Sequence, residues 1–105
     1  MPAPDETWLR CGVSPGMFDH ELGVQGQQAD GSAYSLFAPR EAVDPAGQTL
    51  TRGQIVPGSV QVEIIERRGN LVCVQLPGET FQNGYFITVT ADQLKARPRQ
   101  GVGRP

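Results

Sequence analysis

The feature that most constrains the fold is a set of alternating apolar and polar residues between positions 58 and 91. Apolar residues recur at every second position in 60–64 and again in 72–76, and the Gly69-Asn70 pair separates these two runs. A third run, residues 85–90, follows a polar loop. Side chains of a β-strand alternate between its two faces, and short glycine-containing turns join antiparallel neighbours. The pattern therefore predicts a three-stranded β-meander.

Composition agrees with a single all-β domain. The chain has 105 residues, which is long enough for one hydrophobic core without support from a metal or a disulfide. Thirteen glycines and nine prolines indicate many turns, and valine, isoleucine and threonine favour strands over helices. We predict an N-terminal arm at 1–13, a β-domain at 14–95 and a disordered basic tail at 96–105, because the tail has too few apolar residues to fold.

The order of the predicted elements resembles that of an SH3-like small barrel. Two early strands, at 17–25 and 33–38, precede a surface excursion at 44–58, the meander and one helical turn at 91–95. The resemblance implies an all-β, SH3-like barrel of about five strands, with one short C-terminal helical turn and disordered termini. Peptide-binding SH3 domains cluster aromatic and acidic loop residues to hold proline-rich ligands. This chain lacks that tight clustering, so we do not expect such ligands.

Charge is unevenly distributed along the chain. Residues 1–50 hold seven acids and two arginines, whereas residues 51–105 hold four acids and seven bases. The basic excess gathers near the C-terminus, at Lys95, Arg97, Arg99 and Arg104. A nucleic-acid-binding domain usually carries a basic stripe on its folded surface, whereas this body is neutral or acidic. Binding of the body to nucleic-acid phosphates is therefore not expected.

The sequence favours a cytoplasmic protein. It contains no run of 18 or more apolar residues, so no membrane-spanning helix is expected. The first six residues are acidic and interrupted by proline, unlike a basic and apolar secretory signal. Cys11 and Cys73 lie 62 positions apart and would be reduced in the cytoplasm, although they would be able to form a bridge in an exported protein.

Apolar residues on the outward side of the meander give the main functional hypothesis. Ile65, Leu71, Cys73 and Phe86 all lie off the inward parity of their runs. A bulge near Ile64-Ile65 would shift the register. Alternatively, the outward side is covered by an arm that carries Trp8, or by a second protein chain, either another protein or a copy of this one in a homodimer. We therefore predict a non-catalytic protein–protein interaction module with these four residues and Trp8 as contact candidates.

The aromatic residues support a second hypothesis. Tyr34, Phe37 and Tyr85 would form a stacking surface on one face of the barrel, suited to a small ligand or to single-stranded nucleic acid. This hypothesis requires that the three rings be exposed.

The sequence gives little support to catalysis. His20 is the single histidine, and it lies on the apolar parity of the run at 17–25. One histidine and two distant cysteines do not match the usual spacing of zinc ligands, and no glycine-rich phosphate-binding loop is present. A cysteine nucleophile would need Cys11 or Cys73 beside His20 in space. We therefore predict that the protein is not an enzyme and has no metal or other cofactor; an enzyme that uses His20 with a cysteine is the weaker alternative.

Overall fold

The computed structural model describes residues 5–82 and 84–98. Within these ranges the chain forms eight strands and two short 3₁₀ helices, so the predicted all-β class is confirmed. The strands are β1 (Glu6–Pro15), β2 (Glu21–Gln27), β3 (Ala33–Pro39), β4 (Val43–Asp44), β5 (Val56–Arg68), β6 (Leu71–Gln75), β7 (Phe86–Thr90) and β8 (Leu94–Arg97). The 3₁₀ helices span Arg40–Ala42 and Ala91–Gln93, and the second confirms the predicted C-terminal turn. Neither helix is long and apolar enough to cross a membrane.

The strands form one curled antiparallel sheet that makes a half-barrel. The order of its main path is β3-β2-β1-β5-β6-β7, while β4 pairs with β5 and β8 pairs with β1. Strand β5 is 13 residues long and pairs with β1 as far as Val62, after which it pairs with β6. A register shift between Ile64 and Glu66 marks a β-bulge. Because a bulge increases local twist, this strand bends and belongs to both halves of the sheet.

Loop contacts bring the two ends of the sheet together. Leu36 on β3 forms an isolated antiparallel bridge with Thr80 in the β6–β7 loop. At the other end, the backbone N–H of Ala29 in the β2–β3 loop donates to the carbonyl of Thr88 on β7, at 2.8 Å. These contacts occupy parts of the edges of β3 and β7, which reduces the backbone available for pairing with another strand.

The core consists of the inward-facing residues of all the longer strands. Strand β1 contributes Leu9 and Val13, which are fully buried, and the meander contributes a matching set: Val72, Val74, Ile87 and Val89. Tyr34 on β3 is also buried, and its ring covers Gly26 on β2. A Cβ atom at Gly26 would lie 2.7 Å from the Tyr34 hydroxyl oxygen, so the close approach of the ring requires glycine at that position. Within the described residues, this hydroxyl has no hydrogen-bond partner.

The structure has more strands than the five that the sequence predicted. Residues 6–13 of the predicted arm belong to strand β1, which lies in the middle of the sheet. The sequence pattern did not predict this strand, because Trp8, on the opposite face from Leu9, interrupts the alternation of apolar and polar residues. Strands β4 and β8 have two and four residues, which is too short for a periodic signal.

Two other predicted boundaries differ from those observed in the structure. The strand predicted at 17–25 begins only at Glu21, because residues 16–20 form a turn. The predicted tail at 96–105 begins inside β8, which ends at Arg97. Disorder was predicted for both termini; residues 1–4 and 99–105 lie outside the described residues.

Candidate protein-binding face

Nine residues of β5, β6 and β7 form a regular grid on the side of the meander that faces away from the core. Paired residues of adjacent strands share a face, and on β6 and β7 the alternate residues are buried in the core. We call this grid the outer face; its three rows are Arg68-Leu71-Thr90, Glu66-Cys73-Thr88 and Glu63-Gln75-Phe86. The β5 column is charged, the β6 column is mostly apolar, and the β7 column ends in a phenylalanine.

The apolar candidates of this face are open to solvent. Leu71 is 47% exposed and Phe86 is 54% exposed, whereas Cys73 at the centre is half-buried. A shallow depression of about 310 Å³ is lined by Glu66, Arg68, Leu71, Cys73 and Thr88. A second depression of about 410 Å³ shares Leu71 and Thr88 and extends to the β2–β3 loop at 28–30. The two depressions therefore form one shallow groove over part of the outer face, and its floor is apolar.

The charges at the rim of the groove are well solvated. The guanidinium Nε of Arg68 lies 2.8 Å from the Glu66 carboxylate, and these side chains are 81% and 54% exposed. An exposed pair of this kind stabilises a fold by less than about 1 kcal/mol. On the opposite rim, hydrogen bonds from the hydroxyl and the backbone N–H of Ser32 hold the pKa of Asp30 below its usual range. Both rims of the groove therefore carry charged side chains that are accessible to a partner.

Ile65 occupies the bulge in β5. The predicted bulge is confirmed: Ile64 pairs with Val74 and Glu66 pairs with Cys73, so Ile65 is the additional residue and is 51% exposed. Beyond Val62, no described strand pairs with the second edge of β5. A bulge and charged residues on an open edge hinder the addition of a further strand. Contact with a partner is therefore better suited to the outer face than to this edge.

Trp8 does not cover the outer face. It is 7% exposed and lies on β1, paired with Gln61 of β5 and Lys95 of β8. The guanidinium of Arg97 stacks over its ring at 4.3 Å from the centroid, and the indole N–H donates to the Glu6 carboxylate at 3.0 Å. Trp8 is thus not available as a contact residue, because β8 and Arg97 already bury it.

The three aromatic residues proposed for stacking do not form one surface. Tyr34 is 1% exposed in the core, so it is excluded as a platform. Phe37 packs edge-on against Phe81, with ring centroids 5.4 Å apart, and Phe81 is 67% exposed. Tyr85 is 45% exposed and immediately precedes β7. The hypothesis of a stacking surface for a small ligand or single-stranded nucleic acid is therefore left with two of its three rings. These are Phe37 and Tyr85, each in a different setting.

The residues considered for catalysis lie in different settings. His20 is exposed in the turn between β1 and β2 and stacks on Phe18, with ring centroids 5.8 Å apart. Cys11 points towards the core, and burial raises the pKa of its thiol to about 12. Cys73 lies on the outer face. The part of the chain that the structure describes holds no group of three or more histidine, cysteine, aspartate or glutamate side chains suited to a metal ion.

Sequence reasoning missed two features of the surface. Met17 and Phe18 are 72% and 62% exposed in the β1–β2 turn, whereas the sequence predicted a strand over 17–25. The Pro15-Gly16 pair was the available signal for this turn. Thr88 and residues 28–30 also line the groove, and nothing in their polarity distinguishes them from ordinary surface residues.

No family model, curated protein or solved structure matches this chain.

Proposed function

We propose that this protein is a non-catalytic protein-interaction module and that the outer face is its contact surface. The observation that carries the proposal is the exposure of Leu71 in the groove, of Phe86 in another row of the grid and of Ile65 in the bulge of β5, in a sheet whose other long apolar side chains on β5 to β7 are mostly buried. Burial of these side chains against a partner would remove apolar area from water, which favours association. The apolar floor with a charged rim also matches the usual anatomy of a protein interface.

The positions of the reactive side chains support the non-catalytic part of the proposal. A cysteine nucleophile needs a thiolate and an adjacent base. Burial keeps the Cys11 thiol protonated near neutral pH, and the ring neighbour of His20 is Phe18. A cytoplasmic location remains part of this proposal, and it rests on the sequence alone.

We further propose that the half-barrel is SH3-like. The support is a path of five strands, β8-β1-β5-β6-β7, in which the last strand of the chain returns to pair with the first. The chain enters β8 through the 3₁₀ helix Ala91–Gln93. In this interpretation, residues 16–55, which include β2, β3 and β4, form an insertion between β1 and β5. The insertion accounts for the three additional strands.

Photo-crosslinking tests whether the outer face binds protein. A benzoylphenylalanine is placed at Thr88, in the middle row, and as a matched control at Gln25, an exposed strand residue of β2 outside the grid. We expect Thr88, and not Gln25, to crosslink to protein in an extract of the source organism. An excess of unlabelled chain should compete, whereas an excess of a Leu71→Asp/Phe86→Asp chain should not. Equal crosslinking at both positions, or competition by the variant, would contradict the proposal.

A further inference from the structure

We infer that three glutamine side chains, those of Gln28, Gln82 and Gln93, are caps that close the two end strands of the sheet to the addition of a further strand. The end strands are β3 and β7, because the main path of the sheet runs β3-β2-β1-β5-β6-β7. An end strand presents unpaired backbone N–H and C=O groups, which are a template for pairing with another chain. The caps act at the edges and not on the outer face, so they are independent of the proposed function.

On the edge of β3, the β6–β7 loop takes the place of a partner strand at Ser35. The backbone N–H of Ser35 donates to the side-chain carbonyl of Gln82 at 2.9 Å, and the backbone N–H of Phe81 donates to the carbonyl of Ser35 at 2.9 Å. In a hydrogen-bonded antiparallel pair, the two residues exchange both of these bonds. The neighbouring residues 81 and 82 therefore supply both bonds of a paired strand residue, with a side-chain amide in place of a backbone carbonyl.

The edge of β7 has the same arrangement at Thr88. The backbone N–H of Thr88 donates to the side-chain carbonyl of Gln28 at 3.1 Å, and the backbone N–H of Ala29 donates to the carbonyl of Thr88 at 2.8 Å. Two residues further along β7, the backbone N–H of Thr90 donates to the side-chain carbonyl of Gln93 at 2.8 Å. Both end strands are therefore closed in the same way, by a backbone N–H of a loop and a glutamine oxygen beside it.

Each glutamine amide is held with its oxygen towards the edge, because its NH₂ group donates to an acceptor of its own. These acceptors are Oγ of Ser35 for Gln82, Oγ of Ser32 for Gln28 and the backbone carbonyl of Gln27 for Gln93, at 3.2, 3.2 and 3.0 Å. A reversed amide would set an NH₂ group against a backbone N–H, and both of these groups are donors. The glutamine oxygens are therefore fixed as the acceptors for the edge N–H groups.

Removal of the caps should allow copies of the chain to join through their end strands. Without its glutamine, each loop keeps only one of its two bonds to the edge residue, so an incoming strand displaces the loop more easily. One open edge per copy lets two copies pair and no more, because the pair has no second open edge. Two open edges per copy let the assembly grow, as in any contact that does not close on itself. Gln28→Ala/Gln82→Ala should therefore form larger assemblies than either single variant.

Amide hydrogen exchange, followed by NMR on the full chain, tests the caps one at a time. Gln82→Ala should speed exchange of the Ser35 amide at least about fivefold, the effect of losing one hydrogen bond, and should leave the Thr88 amide unchanged. Gln28→Ala should do the reverse. The substituted residues lie 47 and 60 positions from these amides in the chain, so intrinsic exchange rates do not change.

Two further variants separate capping from a general loss of stability. Gln82→Glu keeps an acceptor oxygen and should keep exchange of the Ser35 amide slow. Gln48→Ala removes an exposed glutamine of the β4–β5 loop and should change neither amide. Equal acceleration of the Ser35 and Thr88 amides by each alanine variant, or no acceleration of either, would overturn the inference.

Sedimentation velocity tests whether the caps close the edges. In a Leu71→Asp background, which removes contact through the outer face, Gln28→Ala/Gln82→Ala should exceed the mass of a dimer as its concentration rises, and neither single variant should pass a dimer. Gln48→Ala/Gln54→Ala, which removes two exposed glutamines of the β4–β5 loop, should match the parent chain. Far-UV circular dichroism checks that each variant is folded. A folded Gln28→Ala/Gln82→Ala chain that keeps the parent's mass at millimolar concentration would overturn the inference, while photo-crosslinking tests the proposed function separately.

Discussion

Replacement of Arg97 by alanine should destabilise the protein far more than loss of an ordinary surface arginine. Arg97 lies on β8, and its guanidinium makes three contacts with three other segments of the chain. It stacks on Trp8 of β1 at 4.3 Å, contacts the Asp44 carboxylate of β4 at 2.8 Å and donates to the Ser59 hydroxyl of β5 at 3.1 Å. We call Arg97 and these three contact residues the arginine clamp, because they hold β8 and β4 against β1 and β5.

The expected magnitude follows from these contacts. The side chain of Arg97 is 28% exposed and that of Asp44 is 36% exposed, so the pair is only partly screened by water. The cation–π contact contributes about 1 kcal/mol, the ion pair about 0.5 kcal/mol and the hydrogen bond about 1 kcal/mol. Because alanine also uncovers the Trp8 ring, we expect Arg97→Ala to lower the free energy of unfolding by about 2–3 kcal/mol.

Urea unfolding, followed by far-UV circular dichroism, measures this change without relying on the indole signal that the substitution alters. Arg68→Ala is the matched control, because it removes an arginine that is 81% exposed and paired with a single carboxylate. The control should lose less than about 1 kcal/mol. An Arg97→Ala protein that is no less stable than Arg68→Ala would refute the reasoning.

Three further predictions concern single groups. Tyr34→Phe should leave stability unchanged or raise it by about 1 kcal/mol, because it removes a buried hydroxyl without a partner in the described chain; a loss in urea unfolding would contradict this. In native protein, a disulfide reagent such as 5,5′-dithiobis(2-nitrobenzoate) should label Cys73 and spare Cys11, whose thiol pKa burial raises to about 12; rapid labelling of a Cys73→Ser chain would be the opposite result. A hydrogen bond from the backbone N–H of Ala46, with a smaller effect of Arg97, lowers the pKa of Asp44. The ionised Asp44 carboxylate therefore stabilises the fold fully above the unfolded pKa of about 3.9, and this effect is lost as the pH falls through the lower pKa of the folded state. The stability difference between the wild type and Asp44→Asn should shrink below about pH 4.

The meander was predictable from sequence because its register is fixed by a strict period of two. Val72 and Val74 occupy alternate positions, and a one-residue slip would move both from the core to the solvent side. The same alternation identified the outer face, since Leu71 and Cys73 had to point the other way. The bulge was also visible, because Ile64 and Ile65 are consecutive apolar residues and only one of them fits each face of a regular strand.

The remainder of the fold depends on long-range contacts that leave no local pattern. Strand β1 looked like an arm because Trp8 breaks the alternation, and its burial is explained only by Arg97, which lies 89 positions later in the chain. Strand β4 has two residues and forms by pairing with β5. Tyr34 looked like a surface aromatic, since sequence does not reveal that the glycine at position 26 leaves room for its ring.

The arginine clamp and the outer face belong to different parts of the sheet, so stability and association should respond to different substitutions. The clamp joins β8, β1, β4 and the first half of β5, whereas the grid lies on β6, β7 and the second half of β5. Energies of well-separated sites without shared partners add. Arg97→Ala should therefore lower stability and leave photo-crosslinking from position 88 at its wild-type rate under native conditions, and Leu71→Asp should do the reverse. If Arg97→Ala also slowed the crosslinking of fully folded protein, the bend of β5 would couple the two regions, and the outer face would have to be treated as part of one unit with the clamp.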